Sequence, residues 1–345
     1  MKAFFAAPLI FTLCAVVGVP RLSAATSETP GQDHALPATA AASLWQSTAA
    51  THVYGFPDIK PNKAGTLVLS ADALTFTGKA GSTSIKRSDV TAVSAGNQRM
   101  ELWGMKGRIL RMAIPDGGGL AAATFMHHRV DMLTVEFRDA RGGKHGAVFF
   151  LPASEADHAL ESFGETPAAV GEPSDRGCGE KPVEPKSVLV STPNWDEAAV
   201  PAAYRALVYE HVVERLRKTK DVGHVYRDGE ATGQSGCPQY IVHISIEGFK
   251  PGSSVQRAFL GPVGMFVGTT QMTFDTTLTD AAGKLEVQDE VKATMRGESE
   301  STDIADKVAK GVAKHYSAAL KSAEKSGAVK SADAGGSYSK QNDLH

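Results

Sequence analysis

The chain has 345 residues, 42% of them hydrophobic and 21% charged, and its 36 Lys and Arg against 38 Asp and Glu give a net charge of −2. This length is enough for two domains of ordinary size. The near balance of charges provides no general attraction to nucleic acid or to an anionic membrane surface, so nucleic acid is not expected as a partner.

The first 25 residues have the pattern of a cleavable secretory signal. Lys2 precedes the apolar run Ala3 to Val19, and small residues follow at Ser23 and Ala25. We expect cleavage near Ala25 and a periplasmic or secreted protein. No other run of 18 apolar residues occurs, so no transmembrane segment is expected after the signal is removed.

Composition divides the rest of the chain into two modules. Residues 26–50 carry few large apolar side chains and predict a disordered leader. Residues 165–186 are rich in Pro and Gly and predict a linker, while residues 321–345 predict a disordered tail. The modules are therefore residues 51–164 and 187–320.

The first module contains seven short apolar runs separated by turn residues, a spacing typical of an antiparallel sheet that closes on itself. A helix follows that opens with Pro152-Ala153-Ser154-Glu155 and runs to about Phe163, with the proline at its start and acids in its first turn. The runs are 66–69, 74–76, 84–85, 90–93, 109–114, 133–137 and 147–151.

The segment from Gly65 to Gly164 resembles pleckstrin-homology-like domains of the bacterial GRAM type. The resemblance lies in Gly-Thr-Leu-Val-Leu-Ser at 65–70, Ala-Leu-Thr-Phe at 73–76, the run Val135 to Gly143 and the final helix. It implies an α+β fold class with a seven-stranded β-barrel and a C-terminal helix. The phosphoinositide ligands of similar eukaryotic folds do not transfer, because a fold does not specify a ligand.

The second module has the predicted order β-α-β-β-β-β-α, a sheet with helices packed on it. Its helices are predicted from about Trp195 to Thr219 and from Thr302 to Leu320. The predicted strands are 187–190, 223–226, 240–247, 265–278 and 284–294.

The second module resembles a family of uncharacterised bacterial envelope domains. The shared features are Phe249-Lys250-Pro251-Gly252, Arg257, the turn Gly261 to Gly264, a long alternating strand from Thr269 and the hairpin ending in Gly283-Lys284. The resemblance implies an exported protein of unknown activity, often lipid-anchored. Cys14 lies deep in the apolar run after Leu13, where a small residue is needed, so a lipid anchor is not expected here.

Two cysteines remain after the signal, Cys178 and Cys237, both in glycine-rich sequence. In an oxidising compartment such a pair is more often a disulfide than two free thiols, although two unpaired thiols are the alternative. A bridge closing a loop of about 60 residues would contribute about 4 kcal/mol in the chain-entropy model.

Catalytic and metal-binding motifs are absent from the sequence, so no cofactor and no enzymatic activity are expected. The pair His127-His128 is the only histidine cluster, and no H-E-x-x-H, G-x-S-x-G or phosphate-loop pattern occurs. In the first helix of the second module, Glu210 and Glu214 are predicted to lie on a solvated face, with Lys218 complementing Glu214. Arg205 falls on the apolar face, and either snorkelling or pairing with a buried acid would explain it.

Two segments are candidate partner surfaces. One is the apolar glycine loop with Phe259, Met265 and Phe266, for which a tight turn into a buried strand is the alternative. The other is a basic hairpin, for which a diffuse charged surface is the alternative. Its residues are Arg99, Lys106, Arg108 and Arg111.

These features favour an exported, non-enzymatic two-domain protein that mediates contacts in the bacterial cell envelope, with a protein partner and with peripheral membrane contact left open. The alternative is a lipid-binding or small-molecule-binding protein of the periplasm, and a deep apolar pocket would support it.

Overall fold

A computed structural model describes residues 43–101, 127–164, 182–195, 200–230, 237–250, 270–280, 286–295 and 301–325. The first module is a seven-stranded antiparallel sheet in the order β4-β3-β2-β1-β7-β6-β5, followed by helix α1. Its elements are β1 Ser43–Tyr54, β2 Lys63–Ser70, β3 Ala73–Gly78, β4 Gly81–Lys86, β5 Val90–Glu101, β6 His127–Arg138, β7 Lys144–Leu151 and α1 Glu155–Phe163.

Alternation along the strands fills one face of this sheet with large apolar side chains. Leu67, Leu69, Leu74 and Phe76 are completely buried, and the α1 residue Phe163 packs into the same core. This burial follows the period of two that the sequence showed in β2 and β3.

A histidine lies in the middle of this apolar core. His52 is completely buried, and its ring contacts those of Phe56, Phe76 and Phe149. The Phe56 backbone N–H donates to His52 Nε2 at 3.0 Å, and His52 Nδ1 lies 3.2 Å from the Lys60 carbonyl oxygen. Both ring nitrogens therefore have partners, as a buried polar group requires.

The predicted barrel is wrong, because the seven strands form an open sheet. Its two edges are β4 and β5, which follow each other in the chain through the 3-10 turn Arg87–Asp89 but do not pair. Helix α1 covers the core instead, and Arg87 Nη2 donates to the Phe163 carbonyl at 2.6 Å. Burial by a helix, rather than strand pairing, shields this end of the core.

The boundary of the predicted leader is also wrong, because β1 begins at Ser43. This strand lies between β2 and β7, and its inward residues include Ser47 and Ala50, which are 1% and 0% exposed. The composition of this segment, which is rich in small side chains, predicted disorder. In the structure, neighbouring strands cover these small side chains and bury them. The predicted strand 109–114 lies outside the described residues.

The second module has the predicted order of elements. Its five strands are arranged β12-β11-β10-β8-β9, with β8 parallel to both of its neighbours and the other pairs antiparallel. The elements are β8 Val183–Val190, α2 Ala202–Arg217, β9 His224–Arg227, β10 Cys237–Lys250, β11 Thr270–Asp280, β12 Glu286–Met295 and α3 Ile304–Lys325.

Several predicted boundaries of this module shift. Helix α2 begins at Ala202, directly after Pro201, rather than at Trp195. Strand β8 starts at Val183 inside the predicted linker, and α3 continues to Lys325 inside the predicted tail. Within the described residues, no helix has the length and apolar character needed to cross a membrane.

The two sheets share one hydrophobic core. Val148 and Phe150 of β7 belong to the same buried cluster as Leu207 and Val208 of α2, and the cluster continues to Phe274 of the second sheet. Helix α2 therefore lies between the sheets and is buried on most of its circumference. The predicted linker separates the modules along the chain, but the core is continuous across them.

Replacing Phe149 by Ala should lower the free energy of unfolding by about 3–5 kcal/mol, because a completely buried aromatic side chain leaves a cavity. Leu44→Ala in β1 is the control, since Leu44 is 49% exposed and should change stability by less than about 0.5 kcal/mol. Urea denaturation of both variants measures the difference, and equal losses would contradict the position of the core.

Candidate functional site at the junction of the two sheets

A buried ion pair stands where helix α2 meets the first sheet. Arg227 Nη1 and Nη2 donate to Glu210 Oε1 and Oε2 at 2.8 and 2.7 Å, a two-bond arrangement that matches the planar guanidinium to the carboxylate. Both side chains are 5% exposed. The predicted solvated position of Glu210 is therefore wrong.

Both partners of the pair also bind the backbone of strand β7. The Gly146 N–H donates to Glu210 Oε1 at 3.0 Å, and Arg227 Nη1 donates to the Lys144 carbonyl at 2.9 Å. The pair thus joins α2 and β9 of the second module to a strand of the first. Burial lowers the pKa of Arg227, but the Glu210 carboxylate outweighs this and the net pKa is raised.

Glycine at position 146 permits the close approach that these bonds need. A Cβ on Gly146 would lie 2.7 Å from Ala206 Cβ and 3.2 Å from Ala206 Cα, closer than side-chain carbons pack. The small residues Ala203 and Ala206 precede Glu210 on α2 at intervals of three and four residues. They are buried with it, so this side of the helix presses against β7.

A second group of polar contacts surrounds Asp228 beside the pair. Lys144 Nζ lies 2.9 Å from Asp228 Oδ2, the Thr192 hydroxyl donates to the same oxygen, and the Asp228 N–H donates to the Tyr209 hydroxyl at 2.9 Å. Burial raises the pKa of Asp228, but the Thr192 and Lys144 contacts outweigh it and the net pKa is lowered. Asp228 is therefore held as a carboxylate.

The turn between β6 and β7 packs against the turn that follows β9. Gly142 and Gly229 have φ of +84° and +77°, a backbone conformation that favours glycine. A Cβ on Gly142 would lie 2.9 Å from the Gly229 carbonyl oxygen. Arg141 Nη1 reaches Glu230 Oε1 at 3.2 Å across the same contact.

His145 lies at the edge of the ion pair. Its Nε2 is 3.2 Å from Asp139 Oδ2, its Nδ1 is 3.8 Å from Glu210 Oε1, and its ring stacks on Phe137. Burial and the charge of Arg227 lower the pKa of His145. The neutral imidazole is therefore favoured in the folded protein.

Arg205 is explained by two contacts at the start of α2. Its guanidinium carbon lies 3.9 Å from the centre of the Trp195 ring, and Nη1 donates to the Val200 carbonyl at 2.7 Å. Burial lowers the pKa of Arg205, and the charge of Glu136 in β6 opposes that effect. A half-buried acid from the first sheet is thus a charge neighbour of Arg205.

The other predicted site residues fall in different places. Cys237 begins β10 and is 3% exposed, while Cys178 lies outside the described residues, so the disulfide stays a prediction. Glu214 pairs with Lys218 at 2.7 Å, which confirms that part of the helix interpretation.

The candidate partner surfaces lie largely beyond the described part of the chain. Residues 259, 265 and 266 of the apolar loop and 106, 108 and 111 of the basic hairpin are outside it, whereas the backbone of Arg99 belongs to β5. His127 and His128 begin β6. The described residues contain no group of three His, Cys, Asp or Glu side chains arranged to hold a metal ion.

No family model and no curated protein matches the sequence. Solved structures with partial likeness include the PelC dodecamer from Paraburkholderia phytofirmans, at 15% identity over 38% of this chain and 89% of that one with a TM-score of 0.27. The hypothetical protein CT253 from Chlamydia trachomatis has 10% identity, coverages of 40% and 96% and a TM-score of 0.28. The lipoprotein GNA1162 from Neisseria meningitidis has 10% identity over 39% of this chain and 99% of that one, with a TM-score of 0.25. Likeness at this level carries no argument about function.

Replacing Glu210 by Ala should lower the free energy of unfolding by about 3–5 kcal/mol, because Arg227 would be left charged and buried without its partner. Glu214→Ala is a matched control one turn along the same helix. The Glu214–Lys218 pair is exposed, and its loss should cost less than about 1 kcal/mol. Denaturant titration of both variants tests this, and a Glu210 variant as mild as its control would show that the pair does not hold the junction.

Stability should fall as the pH is lowered below 6.5. Burial lowers the pKa of His52, His145 and His211 from 6.5, so below that pH the unfolded chain binds more protons than the folded chain. The free energy of unfolding in urea should accordingly be smaller at pH 5.5 than at pH 7.5. His52→Gln should reduce this difference.

His158→Gln provides the comparison for the pH series, because the His158 side chain is 68% exposed. That variant should retain the wild-type dependence on pH. An equal pH dependence in the wild type and the His52 variant would contradict the assignment of His52.

Proposed function

We propose that this chain is a non-enzymatic protein of the bacterial cell envelope whose two modules act together as one scaffold for contacts with other envelope components. The secretory signal expected in residues 1–25 supports the location. The scaffold role is inferred from the junction, where one hydrophobic core and one buried ion pair join the two sheets.

The junction supports a scaffold because it limits movement between the modules. Separating them would expose the apolar contacts of α2 with β6 and β7 and would break the bonds from Gly146 and Lys144 to the ion pair. Surfaces on the two sheets are therefore held at a constant spacing. A protein that contacts a partner through both modules loses less conformational entropy on binding when that spacing is built in.

The chemistry of the junction favours a structural role over catalysis. Both oxygens of Glu210 accept hydrogen bonds from Arg227, one accepts a further bond from Gly146, and neither side chain is open to a substrate. A catalytic acid or base needs access to the proton that it transfers. We assign the ion pair to holding the modules together.

The surface proposed to meet the partner is the apolar loop around Phe266. Its sequence, Phe259 to Gly268, combines large apolar side chains with three glycines. Apolar segments of this kind, where they are exposed, are typical of protein or membrane contacts. Partner binding through Phe266 and structural burial of Phe266 make opposite predictions, which one substitution separates.

A photo-crosslinking residue in place of Phe266 should give a discrete crosslinked product with an envelope protein when intact cells are irradiated. The same residue in place of Leu44 is the control, because Leu44 is an exposed apolar side chain on β1 that the proposal leaves uninvolved. In a separate affinity capture of that partner without a crosslinking residue, Phe266→Ala should reduce its recovery at least tenfold, as expected of a contact residue worth about 2 kcal/mol.

The melting temperature of Phe266→Ala decides between the two interpretations. A contact residue leaves the melting temperature near the wild-type value, whereas a core phenylalanine lowers it by about 10 °C. Absence of a crosslinked product at position 266, or a large fall in melting temperature, would contradict the proposed surface.

A further inference from the structure

Strand β12 is an edge of the second sheet and lies beside an open groove of about 550 Å³. Among the described residues, the strand pairs only with β11, in a register that runs without a shift over all ten of its residues. It contains neither a proline nor a bulge, two of the devices that keep an edge strand from pairing further. The edge is therefore long and regular enough to accept another strand.

The backbone groups that β12 turns outward follow from the pairing of the whole sheet. The Val242 and Ile244 carbonyls of β10 accept bonds from the segment that follows β8, so the odd-numbered residues of β10 are those that bond to β11. Carried through the registers of β10 with β11 and of β11 with β12, this alternation turns the even-numbered residues of β12 away from β11. The N–H and C=O groups at the free edge are thus those of Gln288, Glu290, Lys292 and Thr294.

Lysine 307 marks one end of this edge. Lys307 Nζ donates to the Thr294 carbonyl at 2.8 Å, as expected if that carbonyl points outward. No described residue makes a hydrogen bond to the outward backbone groups of Gln288, Glu290 or Lys292. Three consecutive outward positions are therefore available to pair with a strand.

Helix α3 forms the other wall of the groove and runs antiparallel to β12. Three contacts in order along the helix show this: Lys307 with Thr294, Gly311 with Val291, and His315 with the Asp289 carboxylate. A Cβ on Gly311 would lie 3.3 Å from Val291 Cγ1, so the helix packs tightly on the strand at the middle contact. A strand added to β12 would therefore lie alongside α3.

The helical wall of the groove is positively charged. Lys307, Lys310 and Lys314 line it, at positions three and four residues apart on one side of the helix. Asp306 is shared by Lys310, at 2.6 Å, and Arg215, at 2.8 Å. Lys307 binds a neutral carbonyl, and Lys314 is exposed. This wall therefore favours acidic side chains in an added strand.

We propose that β12 is a site of strand addition, at which an extended segment of a partner protein pairs antiparallel with β12 and directs acidic side chains toward α3. In this mode of recognition, main-chain hydrogen bonds provide affinity and alternate side chains provide specificity. Directly paired residues point to the same face of a sheet, so the segment's residues opposite Val291 and Ala293 face the helix. The proposal is independent of the partner surface at Phe266.

The charge of the groove favours an acidic partner over a second copy of this chain. Antiparallel pairing of β12 with itself would place both α3 helices on the same face of one continuous sheet. Their lysines would then face one another across two neighbouring strands, and like charges repel. An acidic segment is instead attracted by the same lysines.

The probe for the site is the peptide Thr-Glu-Thr-Glu-Thr-Val-Thr, labelled with a fluorophore at its N-terminus and amidated at its C-terminus. Its anisotropy is followed as the full chain is added at low ionic strength, where screening is weak. We expect saturable binding of one peptide per chain, because both acids can face α3. The rearranged peptide Glu-Glu-Thr-Val-Thr-Thr-Thr has the same composition, but its adjacent acids point to opposite faces of a strand. It should bind at least tenfold more weakly, as expected from the loss of one contact between charged groups.

Glu290→Pro tests the pairing itself. The Glu290 N–H faces outward, so proline removes a donor to the added strand and no bond to β11. The matched control is Glu290→Thr, which removes the same side chain and keeps the N–H. The proline variant should bind the alternating peptide at least tenfold more weakly, whereas the threonine variant should bind it as the wild type does. Melting temperatures show whether both variants keep the wild-type fold.

Lys314→Glu tests the charge of the groove without altering the strand, and it decides the matter if the proline variant unfolds. It should weaken binding of the alternating peptide at least tenfold, because it replaces attraction by repulsion. Lys63→Glu, at an exposed lysine that begins β2, is its control and should bind as the wild type does.

The proposal is overturned if the alternating peptide does not bind saturably, or if the two peptides bind equally. Wild-type binding by a folded Glu290→Pro or by Lys314→Glu would also overturn it, as would equal weakening in Lys314→Glu and Lys63→Glu. Sedimentation equilibrium of the chain alone tests the other occupant. A dimer that Glu290→Pro dissociates would assign the edge to a second copy and would contradict the partner segment.

Discussion

The buried pair between Glu210 and Arg227 is the interaction on which the arrangement of the two sheets depends. Removing two charges from water costs several kcal/mol per ion, and their attraction offsets this cost only when the geometry is good and further hydrogen bonds are made. Here the further bonds come from the backbone at Gly146 and Lys144. The pair is therefore satisfied only when α2, β9 and β7 are all in place, so it links the folding of the second module to that of the first.

The junction also explains why helix α2 lacks an ordinary polar face. A helix on the surface of one sheet buries one side, but α2 lies between two sheets and also contacts α3, so ten of its sixteen residues are buried. Glycine at 146 and alanine at 206 allow β7 to approach the helix closely. The same closeness brings Glu210 within reach of β7 and keeps solvent from the pair. Tight packing and the ion pair are thus two aspects of one contact.

The junction depends on the shape of the arginine side chain as well as on its charge. At the junction, the planar guanidinium of Arg227 meets a carboxylate through two bonds and is buried, an arrangement that a lysine ammonium could not reproduce. The buried cation therefore holds the modules together.

The sequence by itself determined the local elements, because short-range periodicity controls them. It indicated helix α1 and its end at Phe163, the order of the second module and the pair Glu214–Lys218. Tertiary structure alone decided what depends on distant segments: the strand at Ser43–Tyr54, the open sheet and the burial of Glu210. Phase along α2 placed Glu210 opposite the apolar residues, and this phase did not show that a second sheet would cover that side. The stripe of Ala203 and Ala206 leading to Glu210 was the one local signal, since small residues on a helix indicate close packing. Its partner Arg227 lies 17 residues away and is brought to it only by the fold.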